Sequence, residues 1–121
     1  MSQTHKILHF ERENETLILV PRANGFGFRY ADVQSESNAV RRVLDDPDVR
    51  SLVVDLGSLD YFGSELIGAI VALARHVSDC GGRAVMCNAS EKMLDVLATM
   101  RLSKLWPYFA TRAEALEAVR D

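Results

Sequence analysis

Cysteine is scarce in this chain: 2 in 121 residues, Cys80 and Cys87. That count gives no sign of a secreted framework held by disulfides. Positive charge is not in excess either. The 14 basic residues are outnumbered by 17 acidic ones, for a net charge of −3, so the electrostatic footprint of a nucleic-acid binder is missing. No apolar run approaches the roughly 20 residues that a membrane span needs. The opening stretch, MSQTHKILHF, lacks the apolar core and small-residue cleavage site of a secretion signal. The expected location is the cytoplasm, with no nucleic-acid partner and no membrane span.

What is present is the make-up of a globular domain, 48% apolar and 26% charged. The chain is expected to form one domain over residues 1–121, burying about two-thirds of the surface its unfolded form exposes. Residues 7–12 and 16–20 read as two strands around a turn at Glu13–Asn14–Glu15. Residues 21–30 (PRANGFGFRY) read as loop, punctuated by Asn24–Gly25 and Gly27. A helix follows over about 32–45, with Val33, Val40, Val43 and Leu44 as a partial stripe and Pro47 beyond its end. The short run SLVVDL, 51–56, marks a strand covered on both faces.

The clearest helix opens on Gly63–Ser64–Glu65. Leu66, Ile70, Leu73 and Val77 share one face, with Ile67, Val71 and Ala74 alongside, and Gly81–Gly82 ends it. RAVMC, 83–87, is another buried strand. Ser90 caps a helix with Met93, Leu94, Leu97 and Met100 expected inward. Residues 107–110 are extended, and Thr111-x-x-Glu114 is a capping box opening a last helix with Leu116 and Val119 inward. Trp106–Pro107–Tyr108–Phe109 reads as core closure. The order ββαβαβαβα gives an α/β class: a mixed sheet of about five strands with four helices, packed largely on one face.

Several residues invite a chemical reading. Ser64 sits at a helix N-terminus, where outward N–H groups and the dipole favour negative charge. Two uses stay open: a cap, or a hydroxyl that carries a phosphate. A nucleophile is disfavoured, because FGSEL is not G-x-S-x-G. His76 also lies 12 residues along the same helix, roughly 18 Å away by the helical rise. Glu65 beside it complements the dipole. His76, Cys80 and Cys87 form no paired C-x-x-C set, so no metal is expected, and Cys87 fits a small core residue. Gly25-Phe26-Gly27 lacks the third glycine of a dinucleotide loop. Phe26, Phe28 and Tyr30 are either core plugs or an exposed contact patch. Asp55, in a buried-type strand, needs hydrogen-bond partners, a loop backbone among them. With no activated nucleophile, acid–base pair, metal set or cofactor loop, no enzyme and no cofactor are expected.

The stretches VVDLGSLDYFGSELIGAIVAL, GGRAVMCNAS and LSKLWPYFATRAEALEAV together resemble the STAS domain family, the anti-sigma-factor antagonists of bacteria, over nearly the full length. The family's loop reads like D-L-S-G-V-x-F-I-D-S-S-G-L-G. Asp55, Leu56, Ser64 and Gly68 match it directly, and Leu59, Phe62 and Ile67 are apolar where it is apolar or aromatic. The resemblance implies that Ser64 occupies the phosphorylatable position. Gly63 stands where the family has an aspartate, Glu65 where it has a second serine, and Leu66 where it has a glycine. It also implies a partner surface at Gly63, Ser64, Glu65 and Leu66, with Phe26 and Phe28 near the same helix end.

In that family the unmodified antagonist binds an anti-sigma factor that is also an ATP-dependent serine kinase. Phosphorylation of the serine releases it, and a serine phosphatase resets it. The alternative is a STAS binding module without phosphoregulation, acting as a scaffold, a sensor subunit or a lipid-transport accessory. Gly63 and Glu65 favour that alternative.

Overall fold

Strands buried on both sides set the architecture. The computed structural model describes residues 7–22, 30–59 and 64–120. Its strands are β1 (Leu8–Glu13), β2 (Thr16–Pro21), β3 (Ser51–Asp55), β4 (Arg83–Cys87) and β5 (Tyr108–Phe109). Its helices are α1 (Tyr30–Leu44), α2 (Ser64–Asp79), α3 (Glu91–Thr99) and α4 (Arg112–Arg120). The strands lie side by side in chain order, with β1 antiparallel to β2 and the remaining pairs parallel. The expected class, mixed sheet and element order are all observed.

Every residue of β2 and β3 is buried, and side chains alternate between the two faces. Leu17, Leu19, Leu52, Val54, Ala84 and Met86 join the core built with α1, α2 and α3. Ile18, Val20, Val53, Val85 and Cys87 face the other way, onto Ala115, Leu116 and Val119 of α4. So three helices share one face, as expected, and among the described residues α4 is the helix on the other. The physical reason is handedness. The crossovers through α1, α2 and α3 step in one direction across the sheet, so right-handed connections lay all three helices on one side. No strand follows α4 among the described residues, so that rule does not constrain it.

Local signals hold the ends of the elements. Ser90 Oγ accepts from the Met93 amide at 3.1 Å. Thr111 and Glu114 close the capping box, with the Glu114 amide to Thr111 Oγ1 at 3.2 Å and the Thr111 amide to Glu114 Oε1 at 3.3 Å. Trp106 is buried and donates its ring N–H to Ser78 Oγ at 3.2 Å. Glu36 of α1 is a buried carboxylate that accepts from the amides of Ile7 and Leu8 at 2.9 and 2.7 Å, tying the helix to the start of β1.

One packing expectation fails. Met93 and Leu97 are buried, but Leu94 is 37% and Met100 45% exposed. α3 ends at Thr99, so Met93 and Leu97, one turn apart, fill its inner face. Leu94 sits about 100° round the helix from Met93, and Met100 lies past the last turn.

The end of α2 yields a prediction. Gly81 has φ +88° and its amide bonds to Ser78 O at 3.1 Å, while the Gly82 amide bonds to Val77 O at 2.9 Å. This is a Schellman closure. A Cβ at Gly81 meets nothing within 4 Å, but one at Gly82 stands 2.6 Å from the backbone oxygen of Arg50. Gly81→Ala is expected to cost about 1–2 kcal/mol for the left-handed backbone, and Gly82→Ala more, because a main-chain atom must move. Urea unfolding of the two variants checks this order.

Candidate functional site

β3 delivers the chain to the end of the sheet where α2 begins. Ser64 is the first residue of α2, so the free amides of the first helical turn gather there. Glu65 follows, exposed, in the same turn. Leu66 is a correction: expected at a partner surface, it is fully buried. It lies one turn before Ile70 on the face that packs against the sheet, so its side chain serves the core. Gly63, Phe26 and Phe28, the other expected contact residues, lie outside the described residues. Along α2, Gly68, Ala69 and Ala72 form one wall of a groove of about 450 Å³ against α1, lined also by Glu65. A Cβ at Gly68 would meet nothing within 4 Å, so the surface behind the tip offers room for close approach.

At the end of β3 lies a polar cluster that the chain pattern did not reveal. Asp55, the last residue of β3, is only 5% exposed. Its Oδ1 accepts from the Gly57 amide at 2.9 Å and from Asn88 Nδ2 at 3.2 Å. Its Oδ2 accepts from Arg112 Nε at 2.8 Å. Arg112, the first residue of α4, also approaches Glu11 of β1 at 3.6 Å. The expected loop-backbone partner of Asp55 is therefore Gly57. The cationic partner lies 57 residues away in sequence, which no spacing rule reaches. The only hint is the rule that a buried carboxylate needs hydrogen-bonding partners.

The electrostatics follow from this geometry. Burial is the largest single influence on Asp55 and pushes its carboxyl pKa up. The hydrogen bonds from Gly57, Arg112 and Asn88, with the Arg112 charge, together outweigh burial, and the pKa lies below the usual 3.8. Cys87, opposite Asp55 in the β3–β4 register, is fully buried. Burial pushes its thiol up to about 12, the Asp55 charge adds to this and Arg112 opposes it, so Cys87 is an inert core group, as expected.

His76 does not join Cys80 at a metal. Its Nε2 lies 2.7 Å from Asp45 Oδ1, and no group of three or more His, Cys, Asp or Glu side chains among the described residues is arranged to hold a metal ion. Among the described residues no helix is long and apolar enough to cross a membrane.

Residues 11–115 match the STAS domain. A comparison with curated proteins gives no match. Among solved structures, a STAS domain protein, an anti-sigma-factor antagonist from Planctomyces limnophilus, is 21% identical with a TM-score of 0.78, over 94% of this chain and 98% of that one. The anti-sigma factor antagonist SpoIIAA in its unphosphorylated form is 18% identical with a TM-score of 0.75, over 93% and 96%. The Bacillus cell-fate determinant SpoIIAA in its phosphorylated form is 18% identical with a TM-score of 0.71, over 93% and 98%. At these identities the likeness shows a shared fold.

The depressed Asp55 pKa sets a pH dependence. Because the folded value lies below the unfolded one, the stabilisation is present above the unfolded pKa and lost as pH falls through the folded one. Asp55→Asn is expected to cost about 2 kcal/mol at neutral pH. That difference should shrink toward zero in acid, below the ordinary carboxylate range. Urea unfolding of both proteins across pH checks it.

Proposed function

Because the chain belongs to the STAS domain family, we propose that it is a regulatory binding protein of the anti-sigma-factor-antagonist kind. Its partner is an anti-sigma factor that is also a serine kinase, docking at the tip of α2, and phosphorylation of Ser64 is the switch. The observation that carries this reading is the placement of Ser64 as the first residue of α2, directly after the loop that leaves β3. The free amides and the dipole of a helix N-terminus favour an added anion. A phosphoserine brings roughly −1.5 to −2 charge and three acceptor oxygens. Inside a packed, water-excluded contact that group has to be desolvated, and the bound state loses the cost. Two of the fold relatives are forms of one antagonist solved without and with phosphate, which supports the same reading.

Exposed Glu65 keeps one negative charge at the tip permanently, which favours a second reading: a STAS module that binds constitutively, without the switch.

One experiment separates them. Kinase-type ATPases from the same genome are incubated with the protein and ATP, and intact mass is recorded, with Ser64→Ala as control. Partner binding by Ser64→Asp is measured by calorimetry. The switch reading predicts one phosphoryl group that is absent in Ser64→Ala, and binding weakened at least tenfold, about 1.4 kcal/mol, in Ser64→Asp. No phosphoryl uptake, with Ser64→Asp binding as the parent does, contradicts it and leaves the constitutive module.

A further inference from the structure

A kinase or docking partner can use Ser64 only if the start of α2 is held in place. Where β3 ends, residues 56–59 are tightly fixed. The Leu56 amide bonds to Cys87 O at 2.9 Å, and the Leu59 amide to Leu56 O at 3.2 Å. Leu59 is buried in the main core. Gly57 is held by Asp55, and a Cβ on it would collide with Asn88 Nδ2 and stand 3.1 Å from Asp55 Oδ1. A side chain at Gly57 would therefore have to push the Asn88 amide away from Asp55.

The two oxygens of Asp55 divide the work. Oδ1 gathers the β3–α2 segment and the β4–α3 segment, through Gly57 and Asn88. Oδ2 is bound by Arg112, on the helix that covers the opposite face of the sheet. We infer that Arg112 is a positioning residue for Ser64: acting through Asp55, it fixes the exit of β3, so that α4 sets the place of the α2 tip on the far side of the sheet. This rests on the reading of Ser64 as the functional hydroxyl.

The cause is the cost of a buried charge. Without Arg112, the Asp55 carboxylate keeps only uncharged donors in a nearly closed site, and an uncompensated buried charge is strongly unfavourable. It must take up a proton or turn toward water. Either way Oδ1 ceases to be a charged acceptor fixed between Gly57 and Asn88, and the strand exit loosens. Lysine does not substitute, because one forked head serves Asp55 through Nε and Glu11 through Nη1.

The test compares Arg112→Gln, Arg112→Lys and a control, Arg120→Gln, at the other end of α4, where the approach to Glu13 is 4.0 Å. Residue-resolved amide exchange and amide chemical shifts are recorded for each. Both Arg112 variants are expected to speed exchange at Leu56 and Gly57 at least tenfold and to shift the amides of residues 64–67, with Val40 of α1 unchanged. Arg120→Gln is expected to do neither. Changes confined to α4, or an equal acceleration everywhere, would overturn the inference, since either is what a purely structural anchor gives. With a kinase that modifies the parent, Arg112→Gln should lower kcat/KM for Ser64 about tenfold while the Ser64→Ala control stays inert, and an unchanged kcat/KM also overturns it. If no kinase modifies the parent, the switch reading fails, and the exchange and shift data still decide whether Arg112 positions the tip.

Discussion

The central constraint is that β2, β3 and β4 carry apolar side chains on both faces, so both faces must be covered. Right-handed crossovers deliver three helices to one face without further instruction. Among the described residues the other face is covered by one helix of nine residues, α4, held by Ala115 with partly buried Leu116 and Val119. So short a helix is marginal in isolation, and its docking relies on contacts at its ends. Arg112 grips Asp55 at one end. Near the other, Arg83 of β4 donates to Ala118 O at 3.1 Å.

That arrangement explains why a charged residue ends a buried strand. Asp55 breaks the apolar pattern of β3 at the point where the sheet gives way to the loop toward Ser64. Partnered on both oxygens, it joins the cover of one face to the tip presented from the other. Structure and proposed regulation meet in this carboxylate. In the proposed reading, the groove beside Gly68 and the exposed Glu65 belong to the surface that a partner meets.

Much of this was legible in the sequence because the signals are local. Ser90, the Thr111–Glu114 box and Gly81–Gly82 mark helix ends through contacts a few residues apart. The β-branched run at 51–55 marks a doubly covered strand. Leu94 and Met100 misled because apolar character alone says neither which face a residue takes nor where a helix stops: Leu94 lies about 100° round from buried Met93, and Met100 lies past the end of α3. Leu66 misled in the opposite way. Its place in the helical stripe identified a core residue, and that face outweighed its position in the first turn. The Asp55–Arg112 pair was illegible for a different reason. It joins elements distant in sequence across a tertiary contact, and only the need for a hydrogen-bonding partner was written in the chain. The family resemblance rested on three stretches spread along the chain, and the STAS domain match over residues 11–115 bears it out.

The central claim, that a partner meets this protein at the tip of α2, is tested most directly by titrating the isotopically labelled protein with the anti-sigma factor proposed as its partner and mapping the amide shifts. The account predicts that the perturbed residues cluster at 64–72, along the first turns of α2 and the wall of the groove, while the exposed side of α4 stays unmoved. A map centred on α4 or on the outer edge of β1, with residues 64–72 silent, would contradict it.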